Sequence, residues 1–367
     1  MASMQQRRAY QTLDGIRGVG AVLVMMRHVP MLFGPIKVPE SFLAVDLFYL
    51  VSGFVVAHAY GERLKAGGFF IDFIKTRLIR LYPLYLVGIA VGVIPATIAV
   101  ITDPAGWWTL PKLIEAIGLG LFMVPMMPGI AAPGTALDGP IWTLAPELIA
   151  NAAYGLAIRF LTPLVLIAIL LVCGAGVTYA ELRFGTLDVG YNPTDQWAAL
   201  ARVGYSFFAG VVVFRLFGDH EQRSELASWA CILGLGAVLA LNLSDAQTPW
   251  FELAVVLVGF PALLVAATRF EPGPLSGRAF SLIGFLSYGV YLLHQPLGNI
   301  VREAARNRFD IPGDWRGLYF GAAFIVFVFG LAWWLDRYYD APVRKLLKAR
   351  FMDRSKKPAE AAQLAGS

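Results

Sequence analysis

Apolar stretches close to 20 residues long recur along nearly the whole of this 367-residue chain. A stretch of about that length crosses the hydrocarbon layer of a bilayer. Inside lipid the backbone finds no water, so a spanning segment must satisfy its own N–H and C=O groups, and here that means helices. Composition points the same way. Hydrophobic residues make up 57% and charged ones 15%, against about 45–50% and about 25% in ordinary soluble domains. Mean hydropathy is +0.63. This excludes a disordered chain and argues against a soluble two-domain enzyme. The expected fold is all-α, a polytopic transmembrane helical bundle of about ten spans plus one re-entrant or broken helix.

Eleven candidate segments can be marked: 13–33, 41–60, 81–102, 113–127, 141–158, 163–180, 197–217, 226–243, 251–268, 280–300 and 318–335. Lys and Arg between spans set orientation. Arg63, Lys65, Lys75, Arg77 and Arg80 follow the second segment, and Arg344, Lys345, Lys348, Arg350, Arg354, Lys356 and Lys357 follow the last. Both groups, with Arg7 and Arg8, are expected in the cytoplasm, which places both termini there and makes the number of crossings even. The 113–158 region, interrupted by Pro140, Pro146 and Glu147, is read as one net crossing. Arg302, Arg306 and Arg308 then fall outside, against the charge rule. The expected organisation is a transmembrane domain over 1–345 and a basic, disordered cytoplasmic tail over 346–367.

Asp14, Arg17, Arg27 and His28 lie within the first segment, so it reads as a retained helix and not a cleaved signal. The net charge of +5 sits in short runs between spans. That suits membrane orientation and membrane lipids as partners better than nucleic acid, which is not expected. Cys173 and Cys231 form no CxxC pair and read as apolar filler, and no metal site is expected.

Arg17 and His28 are eleven residues apart, close to three helical turns, so they share a face about 16 Å apart along the axis. Asp14, three residues before Arg17, shares that face and can pair with it. Two readings stay open: an Arg reaching the headgroups with a core histidine, or a functional pair facing the bundle interior. Asp46 lies about as deep in the second span as His28 lies in the first. A carboxylate on one imidazole nitrogen would fix the tautomer and raise the basicity of the other. Asp46 is therefore expected to orient His28 as a general base, with a structural ion pair as the alternative. His58 reads as an exposed interfacial histidine. Residues 69–80 read as an interfacial helix on which Arg77 and Arg80 share a face, suited to phosphate or to anionic lipid. Glu147, beside Trp142 and Thr143, is an intramembrane acid and a functional candidate. Ser287, Tyr291 and His294 form a polar stripe that lines a cavity or bonds a neighbouring helix.

Five blocks in order resemble the acyltransferase family 3 membrane proteins. LDGIRGVGAVLVMMRH (Leu13–His28) is similar to the family's opening, with Arg17 and His28 matching its Arg-x10-His motif. DLFYLVSGF (Asp46–Phe54) is similar to its second-helix block, and RLIRLYPLY (Arg77–Tyr85) to its Arg-x-x-Arg block. IWTLAPEL (Ile141–Leu148) resembles Trp-Ser-Leu-x-x-Glu, with Thr143 in place of Ser and a proline before Glu147. LSYGVYLLHQP (Leu286–Pro296) resembles the late Ser-Tyr-x-x-Tyr-Leu-x-His block.

The resemblance implies a membrane-embedded O-acyltransferase with no tightly bound cofactor. Its donor is a cytoplasmic acyl-CoA, with acetyl-CoA the first expectation. Its acceptor is a hydroxyl of a cell-surface or lipid-linked carbohydrate, in a bacterial cytoplasmic (inner) membrane. Within it, His28 and Asp46 are the expected catalytic residues. Arg17, Arg77 and Arg80 are expected to hold the coenzyme's phosphates, and Glu147, Tyr291 and His294 to bind the acceptor or the developing oxyanion. The rival class is a proton-coupled transporter or flippase using Asp46, Glu147, His28 and His294 as a relay.

Overall fold

A computed structural model describes residues 10–124, 129–130, 134–218, 222–308 and 311–352. The helices are α1 (Gln11–His28), α2 (Ala44–Ala66), α3 (Phe70–Thr102), α4 (Leu110–Leu121), α5 (Leu144–Ala157), α6 (Pro163–Phe184) and α7 (Gln196–Phe217). They continue with α8 (Glu225–Ala240), α9 (Thr248–Ala254), α10 (Phe260–Arg269), α11 (Pro274–Arg308), α12 (Gly317–Leu335) and α13 (Ala341–Phe351). Two-residue strands β1 (Gln222–Arg223) and β2 (Phe270–Glu271) pair in parallel. The architecture is an all-α membrane bundle. Among the described residues, six helical stretches are long and apolar enough to cross a membrane: Pro39–Ala66, Phe70–Thr102, Pro163–Phe184, Gln196–Phe217, Thr248–Arg269 and Gly317–Phe351. Leu171, Val172 and Val326 stand about 70% exposed, at 69%, 72% and 72%. An apolar exterior of that kind belongs against lipid.

Local chemistry sets the helix ends. Thr162 caps α6 by accepting from the Val165 N–H, with Pro163 in the first turn, where its missing N–H costs nothing. Gly185 closes α6 in the left-handed region at φ 74°. Two prolines that break the 141–158 pattern fall in first turns. Pro140 opens the 3-10 turn Gly139–Thr143, and Pro146 lies in the opening turn of α5. Pro261 and Pro342 each follow a π-helical turn, Val255–Gly259 and Asp336–Asp340. The wider turn makes room for a ring that cannot donate to the preceding carbonyls.

Three expectations change. Residues 69–80 are not a separate interfacial helix, because α3 runs unbroken for 33 residues from Phe70 through Pro83 and Pro95. The tail expected to be irregular from residue 346 stays helical to Phe351, in α13. Residues 353–367 of that tail lie outside the described residues, as do Arg7, Arg8 and part of the 113–127 segment. His58 is no exposed interfacial residue, because its ring packs edge-on between Tyr10 and Phe214, 5.5 Å from each.

Small residues carry the tightest packing. α1 lies along α11, with Gly18 under Ile283 and Gly284 against Asp14. α2 and α7 meet backbone to backbone, Gly53 facing the Phe207 carbonyl and Gly210 the Leu50 carbonyl. With no hydrophobic drive between helices in lipid, such close approach is how they cohere. The loops joining α2 to α3, α5 to α6 and α7 to α8 share one end of the bundle, where Arg159 bonds the Lys65 carbonyl and Arg215 the Leu161 carbonyl. We call this the basic end. His28 lies at the other end of α1. α4 stops halfway along α3, where the Tyr82 and Tyr85 hydroxyls donate to the Leu121 and Gly120 carbonyls. Those are helix-end acceptors that would otherwise lack partners. The chain then returns along α3 past Gly92 and Gly88 before entering α5.

Candidate active site

A cavity of about 260 Å³ opens at the basic end between α1, α2, α3, α5 and α11. Arg17, Arg77, Arg80, Glu147 and Ser287 line its mouth and walls, and Phe48, Thr143 and Tyr291 its far part. The structure thus gathers five expected residues from four helices: Arg17, Arg77, Arg80, Glu147 and Tyr291. Arg17 bonds Asp14 and the Ser287 hydroxyl, each at 3.2 Å. Arg77 donates to Glu147 at 2.8 Å, and Ser52 donates to the same oxygen at 2.6 Å. Among the described residues Arg80 has no hydrogen-bond or ion-pair partner, so its donors face the cavity that it lines. It also borders a second hollow of about 220 Å³, where Arg344 is held by Asp336 and Asp340.

The far end of the cavity is a wall. The Tyr291 hydroxyl donates to the Pro140 carbonyl at 3.0 Å and is bonded to Thr143 at 3.0 Å, while Tyr49 donates to the Thr143 carbonyl. Phe48 meets Tyr291 edge-on, with ring centroids 5.7 Å apart. One turn further along α11, 5.9 Å from the Tyr291 ring, stands the fully buried His294. His294 Nε2 lies 3.1 Å from His28 Nδ1.

The tautomers of this pair follow from their partners. His28 Nδ1 is 2.9 Å from the Val24 carbonyl, and His294 Nδ1 is 3.0 Å from the Val290 carbonyl. A carbonyl can only accept, so both Nδ1 atoms carry the proton. His28 Nδ1–H is then shared between Val24 O and the lone pair of His294 Nε2. His28 Nε2 keeps a free lone pair, the requirement for a base or nucleophile. His28 is also the last residue of α1, where the helix dipole favours positive charge. Arg302 opposes this locally, because it caps the same helix end by donating to the His28 carbonyl at 2.8 Å.

The expected Asp46–His28 pairing is corrected. Asp46, fully buried, accepts through both oxygens from Arg202 of α7, the closest approach being 2.5 Å. Arg202 is itself 1% exposed and also holds the Val189 carbonyl. A guanidinium offers a bidentate charged partner that a neutral imidazole cannot match. His294, and not Asp46, is the side chain beside His28 Nδ1. No hydrogen bond links Asp46, Glu147 and the histidines into one relay among the described residues. Ser287, Tyr291 and His294 do share a face, and the two open readings of that stripe both hold. Ser287 and Tyr291 line the cavity, while all three bond a neighbouring element.

Sequence reasoning missed Arg202, Ser52 and Phe48. Arg202 had a signal, as a lone cation in an apolar span needs a buried partner. Ser52 and Phe48 had none, since ordinary apolar or small positions give no hint of what they face. No group of three or more His, Cys, Asp or Glu side chains that could hold a metal is present among the described residues.

Comparison with known proteins adds three findings. The family model described as an acyltransferase domain (acyltransferase family 3) matches residues 10–337. A Rhizobium radiobacter protein named for its place as protein 2 in the picA locus is 40% identical over 154 residues, 39% of this chain and 78% of that protein. A protein of Komagataeibacter xylinus, named as a candidate membrane-bound transacylase, BcsY, is 27% identical over 309 residues, 77% of this chain and 72% of that protein. No solved structure matches the chain.

Proposed function

The chain belongs to acyltransferase family 3, and from that membership we propose that it moves an acetyl group from cytoplasmic acetyl-CoA to a hydroxyl of a cell-surface or lipid-linked carbohydrate. The reading takes the basic end as cytoplasmic, with both termini there, ten crossings and α4 re-entrant, in a bacterial inner membrane. The coenzyme's phosphates would sit on Arg80 with Arg17 and Arg77, and the pantetheine arm would enter the cavity toward the Phe48–Tyr291 wall. The name of the transacylase relative supports acyl transfer.

In the reaction, His28 Nε2 takes the proton from the acceptor hydroxyl as that oxygen bonds the thioester carbonyl carbon. The carbon–sulfur bond breaks, and the leaving thiolate takes the proton back from the imidazolium. Free coenzyme A and the acyl ester are the products. His294 Nε2 and the Val24 carbonyl hold His28 Nδ1–H throughout, as a carboxylate does in a hydrolase triad, but without its charge. The observation that carries this reading is the His28–His294 pair, in which His294 stands one helical turn beyond the Tyr291 wall of an arginine-mouthed cavity.

The test is coenzyme A release, read as free thiol, from purified chain with acetyl-CoA and acceptor-bearing membranes. Wild type should release thiol and His28→Ala should not. Equal release by both removes His28 from the chemistry. A hydroxylamine-labile adduct with acetyl-CoA alone would replace direct attack by an acyl-histidine intermediate.

A further inference from the structure

Opposite the basic end is a groove of about 370 Å³ that no step above uses. It lies between the far end of α3, the following turn and the outer part of α11. Its size falls in the range of small-ligand sites. Asp103, Trp107, Trp108, Asn299, Arg302 and Glu303 contribute its polar and aromatic lining.

Resting on the transfer reaction proposed above, we propose that this groove is the acceptor site, and that it takes a glycosyl unit. Position comes first. Arg302 joins the groove to the reacting centre directly, one guanidinium nitrogen on the His28 carbonyl at 2.8 Å and the other on Asn299 Oδ1 at 3.0 Å. Asn299 is five residues beyond His294 on α11, about 7.5 Å along the axis and about 140° around it, and Arg302 spans that turn by holding both Asn299 and the end of α1. A sugar ring held there lies beyond the imidazole pair from the donor cavity, against the guanidinium that holds the His28 carbonyl. The two substrates then meet at His28 from opposite ends.

The lining fits the chemistry. A sugar hydroxyl both donates and accepts, so it is recognised by carboxylates, amides and guanidinium groups set close together. Among the described residues the Asp103 carboxylate has no hydrogen-bond or ion-pair partner, and it lines the groove. Trp107 and Trp108 cross edge to face, with centroids 4.7 Å apart. Lys112 covers one ring of that pair, that of Trp107, at 4.5 Å. The Trp108 ring is half-buried against the core, and its indole N–H has no partner among the described residues. Tryptophans that only mark the membrane boundary lie in the headgroups, whereas Trp108 is fixed by packing and lines the groove. A lipid acyl chain would gain nothing from four charged or amide groups.

The experiment makes Trp108→Ala, Trp108→Phe, Asp103→Ala and Asn299→Ala in the full chain. Each is expressed as the sole copy in the source cells. The acylated fraction of surface glycans is read by mass spectrometry, and acetyl-CoA binding to each purified variant by calorimetry. Trp108→Ala and Asn299→Ala should each lower the acylated fraction by about tenfold. Trp108→Phe, keeping an aromatic face, should retain most of it, and acetyl-CoA affinity should stay within about twofold throughout. Unchanged glycan acylation overturns the assignment. So does a matching loss of donor affinity, or a chain-dependent product that carries acyl but no sugar. A wild-type chain that binds no acetyl-CoA fails the transfer reading itself, a separate result.

Discussion

Replacing His294 by Phe removes the side-chain acceptor of His28 Nδ1–H while keeping a ring in a site with no solvent exposure. The Val24 carbonyl, 2.9 Å from the same Nδ1, remains, so the reactive tautomer survives. One acceptor of two is lost. Leaving a buried donor under-satisfied costs about 1–3 kcal/mol, and the retained carbonyl keeps the cost near the low end of that range. At about 1.4 kcal/mol per decade, kcat falls by about tenfold. His294 lies beyond the cavity wall, so the KM for acetyl-CoA should hold. His294→Gln, with a carboxamide oxygen able to accept, should recover part of the rate. The assay is initial-rate thiol release over a range of acetyl-CoA concentrations. A fall of about 10⁴, the loss seen when a triad loses its tautomer control, would refute the reasoning, because it would mean His294 handles the proton itself. An unchanged kcat would refute it equally.

Arg80→Ala should raise the KM for acetyl-CoA by about tenfold or more, the worth of a charge-assisted bond, without loss of folded protein, because Arg80 leaves no partner behind; calorimetry checks both. Arg77→Ala strips the cation from Glu147, so it should lower the yield of folded protein as well as donor binding, read by size-exclusion profile. Breaking the buried Asp46–Arg202 pair by Arg202→Met should cost about 3–5 kcal/mol, since a charge is stranded. Asp46→Asn with Arg202→Met should recover much of that in thermal unfolding. Gly53→Ala puts a methyl onto the Phe207 carbonyl, which cannot yield, and should cost about 1–3 kcal/mol by overpacking, seen as a lower Tm.

The membrane character and most helix positions were legible because apolar runs of spanning length leave little else to form. Arg17 and Glu147 stood out because a charge in such a run demands a partner, whereas Arg77 and Arg80 were read on a surface helix and meet them only because α3 is continuous. The Asp46 partner was misjudged for a physical reason. Depth along a helix can be counted, but rotation about its axis relative to a third helix cannot. Asp46 and His28 share a depth, yet Asp46 faces α7 and Arg202. The continuity of α3 was hidden by reading its basic first turns as a separate surface element, though nothing between Arg80 and Leu81 breaks a helix. The outer groove was invisible because its lining comes from the α3–α4 turn and α11, nearly 200 residues apart, and Asn299 or Trp108 alone looks like any interfacial residue.

The Phe48–Tyr291 edge contact bears on electrical tightness. Moving one elementary charge across 100 mV is worth about 2.3 kcal/mol, and an energised membrane loses that store through any unbroken thread of water. A hollow entering from one side and a groove entering from the other would come close to making one. Two aromatic rings and the hydrogen-bonded hydroxyls of Tyr291 and Thr143 stand between them in place of a thread of water.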